Sequence, residues 1–128
     1  MRYLTAEEIL VLHALVVDAT GGSHGVRDIA LLASIAHKPS TRFGGNDLYP
    51  DLFHKAAILL EAIANYHVFI DGNKRTSFIA AARFLHVNGY DIQANNEDVE
   101  KIVLAVATKK MNVEDVAKWL KEKSTPTI

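Results

Sequence analysis

Two long apolar segments, separated by a short polar stretch, constrain the fold of this chain more than any other feature. The segments Leu52 to Tyr66 and Arg75 to Val87 are apolar nearly all round, which is typical of buried helices rather than of surface helices. The stretch between them, His67 to Arg75, reads His-Val-Phe-Ile-Asp-Gly-Asn-Lys-Arg. We call this stretch the active loop, and we predict that two central buried helices hold it rigidly.

The length and composition of the chain set the limits of the fold. With 128 residues, of which 49% are apolar, the chain is long enough to bury one core. We predict a single all-α domain over residues 1–128. The net charge of -1 gives no basic footprint, so direct nucleic-acid binding is not expected.

Several kinds of chemistry and location are disfavoured by residues that the chain lacks. There is no cysteine, which excludes disulfides, thiolate metal sites and thiol catalysis. No apolar run is long enough to span a bilayer, and Glu7 and Glu8 stand where a signal peptide would have basic and apolar residues. We therefore expect a cytoplasmic protein without a membrane anchor.

Helix caps and apolar spacing predict four further helices. Thr5 and Glu8 have the spacing of a capping box, and Asn112 with Asp115 can cap the last helix. His13 lies on the apolar face of the first helix and could approach the active loop, although only its position supports this. The predicted helices run from Thr5 to Asp18, Asp28 to His37, Asn95 or Asn96 to about Lys109, and Val113 to about Lys123.

Two glycine-containing segments read as connections. Residues 21–25, Gly-Gly-Ser-His-Gly, lack the Gly-Lys-Ser/Thr ending and the preceding strand of a phosphate loop, so we predict a simple connector. Residues 40–51 have no helical period and contain Gly44-Gly45-Asn46-Asp47, which favours a surface loop with a hairpin tip. The pair Asn88-Gly89 favours a left-handed cap after the second central helix.

The second half of the active loop has the residues of an anion-binding turn. Gly72 permits a sharp turn that can aim amide N–H groups at one point, and Asn73 can fix that turn with a side-chain hydrogen bond. Where the turn enters a helix, unpaired N–H groups and the helix dipole attract an anion, and Lys74 and Arg75 add full positive charges. A phosphate group is the expected ligand.

The first half of the loop supplies a base and a carboxylate. A carboxylate such as Asp71 beside phosphates commonly holds Mg²⁺, which needs only one or two protein carboxylates. His67 can take a proton from a hydroxyl near neutral pH. Each residue alone has an ordinary structural interpretation, such as a surface histidine or a helix–helix turn, but the combination favours phosphoryl or nucleotidyl transfer.

This combination resembles the signature of the Fic superfamily, roughly His-x-Phe-x-Asp/Glu-Gly-Asn-x-Arg. It is closer to the death-on-curing (Doc) branch, in which Lys precedes the Arg. The resemblance extends over about residues 4–92 and includes Gly25-Val26-Arg27-Asp28, Leu48-Tyr49-Pro50, Lys55-Ala56-Ala57 and the run from Phe84 to Tyr90. It implies a compact Fic/Doc-type helical bundle in which residues 40–51 form a flap that pairs with an extended target segment.

The resemblance also implies a reaction and its site residues. His67 would be the catalytic base, Asp71 the Mg²⁺ ligand, and residues 72–75, Gly-Asn-Lys-Arg, the ATP-phosphate site. AMP-transferring Fic proteins usually have Gly at the position of Lys74 and an Arg at that of Phe78. The Lys74 side chain would fill the turn, and Phe78 cannot provide the bidentate contact of the second Arg, so both differences disfavour AMP transfer. Doc-type proteins are understood to transfer the terminal phosphate of ATP to translation elongation factor Tu.

The resemblance implies partners as well. The internal inhibitory segment of many Fic proteins, Ser/Thr-x-x-x-Glu-Gly/Asn, is absent from the sequence. Inhibition would then come from a small, partly disordered antitoxin of a toxin–antitoxin system. The main prediction is thus a Doc-like toxin that inhibits translation as an ATP-dependent protein kinase.

Other functions stay open at this point. AMP transfer is favoured by the shared signature and by Gly72. A catalytically silent module that binds an antitoxin is disfavoured by the intact His67, Asp71 and Arg75. A metal-dependent hydrolase is weaker still, because the six histidines show no ligand spacing such as His-Glu-x-x-His.

Overall fold

The two apolar segments are the central helices of the fold. The computed structural model describes residues 1–127, and within them the chain forms six α-helices. These are α1 (Ala6–Thr20), α2 (Ile29–His37), α3 (Leu52–Tyr66), α4 (Asn73–Val87), α5 (Asn96–Ala107) and α6 (Val113–Lys123). Helix α3 packs most extensively against α4 and then against α6. The predicted all-α fold with a loop between two central helices is confirmed.

The core is built largely from α3 and α4. Every residue of α3 from Lys55 to Leu60 is buried, and Phe84 and Leu85 of α4 are fully buried. Small side chains at buried positions let neighbouring helices approach closely. The buried alanines of these two helices are Ala56, Ala57, Ala62, Ala64, Ala80 and Ala81.

Two of the predicted helix starts, those of α1 and α6, are confirmed by capping boxes. Thr5 and Glu8 form both bonds of a capping box, and so do Asn112 and Asp115. The observed helix bounds differ from the predicted ones by about one turn at most. Helix α1 continues to Thr20 rather than ending at Asp18, and α4 begins at Asn73 rather than Arg75. Helix α5 ends at Ala107 rather than Lys109, and Asp28 is the N-cap of α2 rather than its first residue. Helix ends fray and are the part of a helix that local sequence determines least.

Two small antiparallel sheets accompany the helices. After a short 3₁₀ turn at Lys38–Ser40, β1 (Arg42–Phe43) and β2 (Asn46–Asp47) form the predicted hairpin around Gly44 and Gly45. Strand β3 (Tyr90–Ile92) pairs with β4 (Ser124–Pro126), with Asp91 opposite Thr125. The second sheet was not predicted, because its strands have three residues each and are distant in sequence.

Both ends of the described chain meet at the corner after α4. The side chain of Asn88 accepts a hydrogen bond from the Arg2 amide at 2.8 Å and donates one to the Arg2 carbonyl at 2.8 Å. Next to it, Gly89 has the left-handed φ of 97° expected for a helix cap, and its carbonyl accepts from the Thr127 amide at 3.0 Å. Residues 2 and 127 are therefore fixed to neighbouring residues.

None of the helices within residues 1–127 is both long and apolar enough to cross a membrane.

Candidate active site

His67 stands where α3 ends, in a strained main-chain conformation. It is the C-cap of α3 and has φ 51° and ψ 45°, in the left-handed region that few non-glycine residues occupy. Its side chain is exposed, whereas the next two residues, Val68 and Phe69, are fully buried. A left-handed cap followed by two buried anchors fixes the backbone that presents the imidazole.

The first half of the active loop pairs with the segment that follows α1. Phe69 forms an isolated antiparallel bridge with Val26. The Arg27 amide donates to the Val68 carbonyl at 2.7 Å, and the Ile70 amide donates to the Gly25 carbonyl at 3.1 Å. Residues 68–70 thus gain the rigidity of a short strand pair, although they lie between two helices.

The side chain of Asn73 closes the loop on itself. Its Oδ1 accepts a hydrogen bond from the Phe69 amide at 3.0 Å, and its Nδ2 donates to the Phe69 carbonyl at 2.9 Å. The side-chain hydrogen bond predicted for Asn73 is therefore present, and it is doubled. Only an amide side chain can donate and accept in this way, so the residue type is matched to its position.

The N-terminal end of α4 is open. Its N-cap is Gly72, in the left-handed region at φ 77°, and within the described residues no side chain caps this end. Helices α1, α5 and α6 have acidic residues in their first turns, whereas α4 has none there. The exposed Lys74 and Arg75 lie in this turn. Unpaired N–H groups, the helix dipole and two cations together make a site for an anion.

Asp71 lies just before this open end with one carboxylate oxygen engaged. Its Oδ2 accepts a hydrogen bond from the Ser23 amide at 2.8 Å, and no hydrogen bond from residues 1–127 reaches Oδ1. The described residues contain no group of three or more His, Cys, Asp or Glu side chains that could hold a metal ion. A single exposed carboxylate fits Mg²⁺, which keeps several waters and takes phosphate oxygens as further ligands.

A buried histidine of α1 contacts the active loop on its buried side. The ring of His13 is 1% exposed and stacks on Phe69, with ring centroids 3.8 Å apart and an interplanar angle of 6°. Its Nε2 lies 2.7 Å from the main-chain oxygen of Asp71 and can donate to it. His13 does approach the loop, then, and it contacts the main chain rather than the exposed side chains.

The predicted hairpin is fastened to α3 by a buried cation. Lys55 is 1% exposed, and its Nζ donates to the Pro39 carbonyl at 3.1 Å and lies 3.4 Å from Oδ2 of Asp47 in β2. The 3₁₀ turn that leads into the hairpin places Lys38 over the ring of Tyr66, at 5.2 Å from its centroid. Tyr66 precedes His67, so the base of the hairpin and the active loop share α3 as their support.

The shifted pKa values lie in the scaffold. Hydrogen bonds to Glu114 and Asp51 raise the pKa of His54, which bridges the starts of α3 and α6. Burial acts to raise the pKa of Asp51, but hydrogen bonds from the His54 amide and imidazole lower it below its usual range. The Glu8 carboxylate of the α1 capping box has a lowered pKa because it accepts from the Thr5 amide and from Arg2.

The structure brings the sequence-predicted site residues together on one loop, with His67 at its start and Asn73, Lys74 and Arg75 in the first turn of α4. It also corrects the interpretation of residues 21–25 as a simple connector. Ser23 and Gly25 both bond to the active loop. Their contacts use main-chain atoms, which carry no residue-type signature. The cluster of glycines was the one available signal, because glycine permits close approach of two chains.

A helical domain whose two central helices present a polar loop, led by a histidine and ending in an open helix N-terminus, defines a specific class of fold. The sequence profile of the Fic/DOC family matches residues 3–85. The chain is 38% identical over 118 residues to Toxin Doc of Mycolicibacterium smegmatis, a match that covers 91% of this chain and 88% of that protein. It is 31% identical over 121 residues to Protein kinase doc of Escherichia phage P1, covering 94% of each.

The chain therefore belongs to the Fic/DOC family.

Proposed function

We propose that this protein is a Doc-like toxin that transfers the terminal phosphate of ATP to a hydroxyl group of a protein target. The observation that carries the proposal is the open N-terminus of α4, with Lys74 and Arg75 exposed beside it and His67 at the other end of the same rigid loop. The name of one relative, Protein kinase doc, is in line with phosphate transfer. Translation elongation factor Tu is the proposed target.

In this proposal each residue of the active loop has a separate role. The unprotonated ring nitrogen of His67 takes the proton of the target hydroxyl. The hydroxyl oxygen then bonds to the terminal phosphorus of ATP, the bond from that phosphorus to the bridging oxygen breaks, and ADP leaves. The amides of α4 with Lys74 and Arg75 hold the phosphates. Asp71 would hold Mg²⁺, which supplies charge neutralisation at the phosphates when bound.

Two positions favour phosphate transfer over AMP transfer. Lys74 brings a long side chain to a position where AMP-transferring relatives of the superfamily usually have glycine. Phe78 stands where they have a second arginine, and it is half-buried and packed against the core. AMP transfer is the second candidate, because the signature is shared and Gly72 leaves the turn without a side chain.

An antitoxin is the proposed partner. The name Toxin Doc of one relative supports this assignment. An open groove borders α4; its lining is apolar at Leu12, Phe78 and Ile79 and charged at Arg83 and Asp91. Such a groove can accept an apolar segment that folds on binding.

The test uses ATP labelled separately at its α and γ phosphates, with purified elongation factor Tu and Mg²⁺. Label from the γ position on the target is expected with the wild type and is expected to vanish with His67→Ala. The variant His86→Ala is the matched control, because the exposed His86 imidazole bonds to Asp91, outside the active loop. Label from the α position would mean AMP transfer, and equal label with His67→Ala would remove His67 from its proposed role.

A further inference from the structure

The segment between α1 and α2 touches the active loop through the carboxylate of Asp71. The Ser23 amide donates to Asp71 Oδ2 at 2.8 Å, across a separation of 48 residues. On either side of this bond the chains stay close, since the Gly25 carbonyl accepts from the Ile70 amide at 3.1 Å. The Asp71 side chain is thus oriented by a main-chain group that lies outside the family signature.

Two glycines of this segment lie so close to the active loop that an added side chain would contact it. Gly22 has φ 107°, and a Cβ added there would lie 3.2 Å from Cβ of Asp71 and 3.6 Å from its Oδ2. A Cβ added at Gly25 would collide with Cδ1 of Ile70 at 2.7 Å. Gly21 has a similar φ of 90°, but a Cβ there would meet nothing within 4 Å. The close contact is therefore confined to the residues that face the loop.

The main chain of Asp71 is held from the other side. His13 Nε2 lies 2.7 Å from the Asp71 carbonyl oxygen. The main chain of Asp71 is thus held by His13 and its Oδ2 by Ser23, while Oδ1 accepts no hydrogen bond from the described residues. A side chain fixed in this way binds a metal through one oxygen without first losing rotamer freedom.

We propose that the Ser23 amide is a positioning group for the metal ligand: by its hydrogen bond to Oδ2 it orients the Asp71 carboxylate that would hold Mg²⁺ when MgATP binds. This inference rests on the proposed function and deepens it. Hydrogen-bond partners of metal ligands typically change metal affinity about 10- to 100-fold when they are removed. A side chain at position 22 would press on Asp71, because its Cβ would lie 3.2 Å from Cβ of Asp71.

The experiment compares two pairs of variants. Ser23→Pro removes the amide donor, whereas Ser23→Ala keeps it. Gly22→Ala pushes a methyl group against Asp71, whereas Gly21→Ala carries similar backbone strain without that contact. ATP binding is measured by calorimetry at a series of Mg²⁺ concentrations in the absence of any protein target. Ser23→Pro and Gly22→Ala are expected to need about tenfold more Mg²⁺ for half-maximal binding than their partners.

Equal Mg²⁺ requirements within both pairs would overturn the inference. If Ser23→Pro fails to fold, the glycine pair decides the outcome by itself, because both glycine variants are strained at similar φ. The proposed function fails in a different way: ATP binding by the wild type that does not depend on Mg²⁺, or is unchanged in Asp71→Asn, would remove the metal from Asp71. That result would overturn the assignment on which the inference rests.

Discussion

His13 and Asp71, 58 residues apart, are joined by a contact of 2.7 Å between the imidazole Nε2 of one and the main-chain oxygen of the other. The His13 ring is buried, and it stacks on Phe69. A helix at the start of the chain therefore determines the position of the main chain from which the proposed metal ligand projects.

Replacing His13 tests this support. His13→Phe preserves an aromatic ring for Phe69 but leaves the Asp71 carbonyl without its donor. The loss is expected to lower the free energy of unfolding by about 1–3 kcal/mol and to slow transfer to the target. His13→Gln can still donate and is expected to restore most of both. Urea denaturation and transfer rates measure the two effects, and identical behaviour of the two variants would show that the hydrogen bond has no role.

The reciprocal bonds between Asn73 and Phe69 predict a second large effect. Asn73→Ala removes both bonds and leaves two main-chain groups of the fully buried Phe69 unpaired. We expect a loss of about 2 kcal/mol or more in unfolding free energy, measured by denaturant titration. Asn65→Ala is the matched control, because Asn65 donates a single bond to Glu61 of its own helix. A loss no greater than that of the control would contradict the prediction.

The bridge of His54 predicts a pH dependence of stability. Its pKa is raised in the folded protein by Glu114 and Asp51, so its charged form stabilises the fold. That contribution is fully present below the unfolded-state value of about 6.5 and is lost as the pH rises through the higher folded-state pKa. The Tm difference between the wild type and His54→Gln should therefore shrink as the pH rises above about 6.5. A constant difference would mean that the charge of His54 does not contribute.

The buried Lys55 predicts a separation of target binding from nucleotide binding. Lys55→Met keeps an apolar stem in the core but releases Asp47, which is partly exposed and can be hydrated. Because the substitution also leaves the buried Pro39 carbonyl without its donor, we expect the free energy of unfolding to fall by about 1–3 kcal/mol. The KM for the protein target should rise several-fold while ATP affinity is retained.

Lys101→Met serves as the control for Lys55→Met, since Lys101 is an exposed lysine paired with Glu97 on α5. Steady-state kinetics with varied target and calorimetry with ATP distinguish the two effects. A change in ATP affinity with an unchanged target KM would show that Lys55 supports the active loop rather than the hairpin.

The sequence was most informative where short-range patterns determine structure. The bounds of α3 match the apolar segment from Leu52 to Tyr66, and the capping residues Thr5 and Asn112 start their helices as predicted. These features depend on neighbouring residues, so a single sequence contains them. The residues of the active loop likewise stand within one short stretch of the sequence, so a single sequence contains them as well.

What the sequence left out depends on contacts between distant segments. The Ser23 amide gave no signal, because every residue except proline has the same donor. His13 gave a weak signal. A polar ring among the buried Ile9, Val16 and Val17 needs a hydrogen-bond partner, but the identity of that partner depends on the tertiary fold. The pairing of β3 with β4 likewise joins segments too short to carry a periodic pattern.

The corner at Asn88 and Gly89 has a topological consequence. Residue 2 bonds to Asn88 and residue 127 to Gly89, so the path of the chain nearly closes into a ring. A ring can be opened elsewhere when its ends are joined, and exposed loop tips tolerate such cuts best. The Gly44–Gly45 turn is one such tip. A permuted chain that begins at Gly45 and ends at Gly44 would place α3, the active loop and α4 before α1 in the sequence, and the new connection would lie at the corner beside Asn88 and Gly89.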